Sequence, residues 1–137
     1  MPFNWPPISD HVWGGIKTEF TLPAVAQVRQ RLSELMEDPE PVMTRLFRVF
    51  IDDGTFCPGF QFLPGGQLHP NVRELFTRAM ALGIPHNSFA AWMMTPSRVL
   101  AGSRPVDLLK DPPGSLFPAL EKFSQEHWRE PVRTDRK

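Results

Sequence analysis

The chain has 137 residues, long enough for one domain with a real core or one domain plus a short arm. Lys+Arg and Asp+Glu each number 15, so no overall basic field recruits nucleic acid and no acidic field repels it; one local face is still open to DNA. The single Cys57 excludes an intramolecular disulfide framework and the usual Cys-rich zinc sites.

MPFNWPPISD has neither a basic start nor the apolar run of about 7–15 residues that a signal peptide needs. No apolar run approaches the roughly 20 residues that span a bilayer, so a soluble cytoplasmic protein is expected. The 16 prolines favour short elements cut by turns, and 11 Phe with no Tyr supply core rings without a polar handle.

Residues 1–19, with Pro6-Pro7 and Gly14-Gly15, show neither helical nor strand periodicity and are expected to form an irregular arm. Trp5 and Trp13 suit packing on the body or on a second copy, and a disordered leader is the alternative. Residues 20–66 are read as helices plus a hairpin. Thr21 is the candidate N-cap of a helix over 21–37, Pro23 lies in its first turn, and Val25, Val28, Leu32, Leu35 and Met36 supply the stripe. Asp38-Pro39 ends it, and a shorter helix is expected near 41–47.

RVFIDDGTFCPGFQF then reads as a two-stranded β-hairpin near residues 47–62. Asp53-Gly54 is the turn, Val49 and Ile51 share one side, and Phe60 and Phe62 alternate in the second arm. The spacing predicts a helix over 70–82, with Pro70 in its first turn and Gly83 as its stop. Asn87 or Ser88 caps a helix containing AAWMM, and Ser115 caps a last helix to about 128 with Leu116, Phe117, Leu120 and Phe123 inward. The fold class is therefore mainly α, compact and helical, with one small hairpin; residues 67–130 form its helical part and 131–137 a tail.

Catalytic chemistry finds little footing. His11, His69, His86 and His127 are scattered, with no HExxH or His-x-His pair to hold a metal. Cys57 lacks an identifiable base, Asp52-Asp53 suits a turn better than acid/base work, and PGGQ lacks the Lys-Ser/Thr of a phosphate loop. No catalytic residue, metal or cofactor is assigned, and the chain is read as not an enzyme. Two short helices followed by a hairpin outline a degenerate winged helix over residues 21–62, with Arg29, Arg31, Arg45 and Arg48 as its candidate DNA contacts, and with it a DNA-binding transcriptional regulator. Glu34, Glu37, Asp38 and Glu40 crowd the same region, so an ordinary solvated helix face is the competing reading.

The most informative stretch is FAAWMMTPSRVLAGSRPVDLLK at 89–110. Small alanines beside Trp92 allow close helix contact, and Thr95-Pro96 stops one helix and starts the next. Leu100 points inward, Gly102 permits a reversal, and Pro105 begins another turn with Asp107 at a dipole-favoured position. The run resembles the antitoxin Xre/MbcA/ParS toxin-binding domain family, whose members share a pattern like A-x-W-L-x-T-P-N-x-x-L-x-G-x-x-P-x-D-L-L. Ala90 or Ala91, Trp92, Thr95, Pro96, Leu100, Gly102, Pro105, Asp107, Leu108 and Leu109 stand where that pattern wants them, and Ser97 takes the Asn place. The likeness is close over about 40 residues and looser from Phe60 onward.

The resemblance implies a non-enzymatic protein that neutralises a co-encoded RES-domain, NAD-consuming toxin, with self-association into a homo-oligomer also expected. On this reading Trp92, Leu100, Leu108 and Leu109 are core, and Arg98, Arg104, Lys110, Glu126, Trp128 and Arg129 face the partner.

Overall fold

A computed structural model describes residues 7–127. Trp5, Trp128 and Arg129, which carry packing and partner-binding expectations, lie outside the described residues, as does the 131–137 tail. The architecture is mainly α with one two-stranded antiparallel sheet. The helices are α1 (Asp10–Glu19), α2 (Val25–Leu35), α3 (Glu40–Met43), α4 (Pro70–Ala81), α5 (His86–Met94) and α6 (Leu116–His127). The strands are β1 (Val49–Ile51) and β2 (Gly54–Phe56).

The irregular reading of 1–19 is corrected over its second half, because Asp10–Glu19 is helical. Two glycines in a helix cost about 1 kcal/mol each. Trp13 and Ile16 lie on one face and are buried in the main core, where each contributes about 2–3 kcal/mol, so tertiary burial outweighs local propensity. Asp10 in the first turn and Lys17 in the last also suit the helix dipole.

The helix expected over 21–37 is shorter. Thr21 to Pro23 run extended beside the chain after β2: the Cys57 amide donates to the Pro23 carbonyl at 2.8 Å and the Gly59 amide to the Thr21 carbonyl at 2.7 Å. Gly59 is needed there, since a Cβ would stand 2.8 Å from the Thr21 backbone nitrogen. Helix α2 instead follows Ala24, whose amide donates to Gln27 Oε1 at 2.8 Å.

The hairpin forms with Val49 opposite Phe56 and Ile51 opposite Gly54. Its loop is Asp52-Asp53, one residue earlier than the expected Asp53-Gly54, and Asp52 takes a φ of 52°. Phe60 and Gln61 belong to a 3₁₀ turn at Gly59–Gln61, not to the second arm; both are buried. The short helix expected at 41–47 is the single turn α3.

Most of the apolar interior is one cluster. Trp13 and Ile16 of α1, Phe47, Val49 and Phe60 from the hairpin region, Leu75 of α4, Phe89 and Trp92 of α5 and Leu120 of α6 all belong to it. Segments 20–66 and 67–130 therefore share a core. A smaller cluster of Val28, Leu32, Met43, Leu46 and Cys57 sits under α2 and α3. Among the described residues, no helix is long and apolar enough to cross a membrane.

Candidate partner-binding corner

Helix α5 carries the Trp92 end of the corner. Trp92 is buried, stacked on Phe89 with centroids 6.0 Å apart and 6.5 Å from Phe123 of α6. Thr95 ends the helix, but its hydroxyl donates back to the Ala91 carbonyl at 2.6 Å instead of capping the next turn. The exposed Pro96 leads into Ser97, which closes a tight loop: the Ser97 amide donates to Ser103 O at 3.0 Å and the Gly102 amide to Ser97 O at 2.8 Å. Within it a 3₁₀ turn (Arg98–Leu100) drives Leu100 inward, and the reversal uses positive φ at two residues, Ala101 (58°) and Gly102 (86°).

A second 3₁₀ turn, Pro105–Leu108, packs against α5. Pro105, Val106 and Leu109 are buried and Leu108 is half-buried. The Trp-to-Leu-Leu segment is thus bent at two places and is not one straight helix.

Arg104 makes contacts that its place in the sequence does not reveal. Its guanidinium donates to both Glu19 oxygens, at 2.9 and 2.8 Å, and to both Asp107 oxygens, at 2.8 and 2.9 Å. The bond from Arg104 holds the Glu19 carboxyl below its ordinary range, and the same contact lowers Asp107. The Arg104 guanidinium is held more firmly protonated by its bond to Glu19 first and Asp107 second. Asp107 therefore serves this ion pair, and Arg104 ties the end of α1 to the corner. Four hydrogen bonds to Glu19 and Asp107 thus engage it within the chain.

Arg98 and Lys110 are exposed, and neither makes an ion pair within the described residues. Glu126 is exposed and lies 3.8 Å from Lys122. Sequence reasoning missed the groove that these elements enclose. It measures about 730 Å³, lies between the start of α1, the end of α5, residues 96–99 and α6, and includes Trp92, Pro96, Arg98, Val99 and Phe123 in its lining.

The residues suggested for DNA do not gather into one free basic face. Arg29 pairs with Glu40, Arg31 stands 3.8 Å from Glu34, and Arg48 donates to the Met43 carbonyl at 3.1 Å; only Arg45 of the four is exposed without a described partner. The helix directly before the hairpin, α3, has four residues, too short to serve as a recognition helix. Nor do the described residues contain a group of three or more His, Cys, Asp or Glu that could hold a metal ion. Cys57 is buried, and desolvation pushes its thiol up to about 11.

Compared with known protein families, with curated proteins and with solved structures, the chain matches none.

Proposed function

We propose that the chain is an antitoxin-like protein that binds and neutralises a co-encoded RES-type, NAD-consuming toxin or a related protein partner, and that it is not itself an enzyme. The observation that carries this reading is the division of the 89–110 corner into two sides. Trp92, Leu100, Pro105, Val106 and Leu109 anchor it to the core, while Thr95, Pro96, Arg98 and Val99 form an exposed crest and Lys110 is exposed farther along the chain. Two 3₁₀ turns, the second opened by Pro105, and the Arg104 clamp fix that corner before any partner arrives, so docking would lose little conformational entropy.

The test is co-expression with the product of the adjacent gene. The expected result is a co-purifying complex in which the neighbour's NAD consumption is suppressed. If the neighbour is not a RES-type protein and nothing co-purifies, the reading falls.

A further inference from the structure

We infer that the groove between α5, α6 and the 96–99 turn receives an acidic, apolar peptide segment of a protein partner, with Arg98 pairing the acid. This rests on the partner-binding reading above and names the chemistry of the partner. Three observations point the same way.

First, the floor holds unmade hydrogen bonds. Ser88 is 4 % exposed, as is Trp92; both line the groove, and neither the Ser88 hydroxyl nor the Trp92 indole N–H has a partner among the described residues. Buried polar groups are ordinarily paired by protein or water, and an indole N–H can only donate, so an occupant that displaces water from the groove gains by bringing acceptors.

Second, the charge on the lining is complementary to an acid. Arg98 is exposed without an ion pair, whereas Arg29, Arg78 and Arg104 each hold a carboxylate. Lys122 and Glu126 also lie on the lining and face each other at 3.8 Å, which leaves Arg98 as the lining cation with no ion pair among the described residues. A basic segment would meet repulsion from Arg98. A carboxylate would gain a fork-shaped, charge-assisted partner.

Third, the walls are apolar and in part uncovered. Val99 is 45 % exposed beside Pro96, and Val12 and Ala91 continue the same lining. A groove of about 730 Å³ accepts several side chains, not a whole domain face.

The test uses the full chain on an array of short peptides. One set tiles the adjacent gene's product, and the other consists of random acidic-apolar, basic-apolar and scrambled sequences. Wild type is compared with Arg98→Glu and with Ala91→Trp, which fills the groove; Arg45→Glu, an exposed cation outside it, is the control. Acidic-apolar peptides are expected to bind wild type and Arg45→Glu alike, and to lose about tenfold or more on Arg98→Glu and Ala91→Trp. Circular dichroism checks that each variant folds, and Arg98→Gln gives an intermediate loss if charge is the cause.

Equal binding of basic-apolar peptides, indifference to both groove variants, or no binding at all would overturn the inference. Self-association of the wild type, abolished by both variants, would also overturn it in favour of a second copy as occupant. Should random acidic-apolar peptides bind while no tile of the neighbour does, the groove assignment stands and the toxin reading fails. Should the intact neighbour bind all variants equally, the toxin reading stands and the groove assignment fails.

Discussion

The Gln61 carboxamide closes both backbone hydrogen bonds of Phe47: Phe47 N donates to Gln61 Oε1 at 2.8 Å, and Gln61 Nε2 donates to Phe47 O at 2.8 Å. The same nitrogen also reaches the Pro58 carbonyl at 3.0 Å. Farther along the same segment, Asn87 repeats the device on Phe50, accepting from its amide at 2.9 Å and donating to its carbonyl at 2.7 Å. His86 Nδ1 lies 3.0 Å from Arg48 O. Side-chain amides thus stand where a neighbouring strand would, and the edge of a two-stranded sheet is left with fewer groups for another chain to pair with.

Gln61 is 2 % exposed, so this arrangement predicts a large penalty for Gln61→Leu. The substitution keeps the volume but orphans the Phe47 amide, the Phe47 carbonyl and part of the Pro58 carbonyl's satisfaction. A loss of about 3 kcal/mol is expected in urea unfolding. Gln61→Glu keeps an acceptor for the Phe47 amide but sets a buried carboxylate against two carbonyls; it is expected to be less harmful at pH 5 than at pH 7, because protonation restores a donor. Asn87→Ala, at a half-buried site, should cost less than either.

These amide pairings also explain where sequence reasoning stopped. Helix α4 was legible because Val72, Leu75 and Ala79 recur at helical spacing between Pro70 and Gly83, and all three are buried. Asn87 looked like a local cap for α5, yet the N-cap is Pro85 and the Asn87 side chain is spent on Phe50, 37 positions away. The same limit hid the Arg104–Glu19 pair, separated by 85 positions, and so made Arg104 look free. Helix α1 was missed because its two adjacent glycines speak against a helix locally and only the shared core speaks for it. The corner's two sides were partly readable, since Trp92, Leu100 and Leu109 are inward as expected, but the groove depends on how α1 and α6 close around it.

The Arg104 clamp predicts a separation of stability from binding. Arg104→Ala should lower the melting temperature by a few degrees and free the end of α1, with a smaller effect in high salt, since the Glu19 and Asp107 side chains are themselves substantially exposed. Arg104→Lys should recover only part of this, because an ammonium cannot fork across two carboxylates. Glu19 and Asp107 both have depressed folded-state pKa values, so their contribution is present above the ordinary carboxylate range and is lost as pH falls through the folded values. The acid limb of a pH–stability profile should flatten in Arg104→Ala.

His69 gives a second pH signature at a different place. Its Nδ1 accepts from the Asn71 amide at 3.2 Å at the start of α4, a bond that needs the neutral ring. Burial lowers its pKa below 6.5. The unfolded chain then binds more protons in this window, so stability is full above 6.5 and declines as pH drops through the folded value. Urea midpoints measured from pH 7.5 to 5 should fall for wild type and fall less for His69→Asn, which retains an uncharged acceptor at the cap.

Backbone strain at the corner predicts opposite signs at adjacent residues. Ala101 sits at φ 58°, in the left-handed region that disfavours a side chain by about 1–2 kcal/mol. Ala101→Gly relieves this while loosening the unfolded chain, for a net gain of roughly 0.5 kcal/mol. At Gly102, φ is 86° and an added Cβ would meet nothing within 4 Å, so any loss in Gly102→Ala comes from the backbone alone. A penalty of about 1 kcal/mol is expected there. Both sites are exposed, and neither change touches the core, so thermal unfolding reads the conformational cost directly. If Ala101→Gly destabilises and Gly102→Ala does not, the loop does not reverse at these two positions, and the crest that carries Arg98 is placed otherwise.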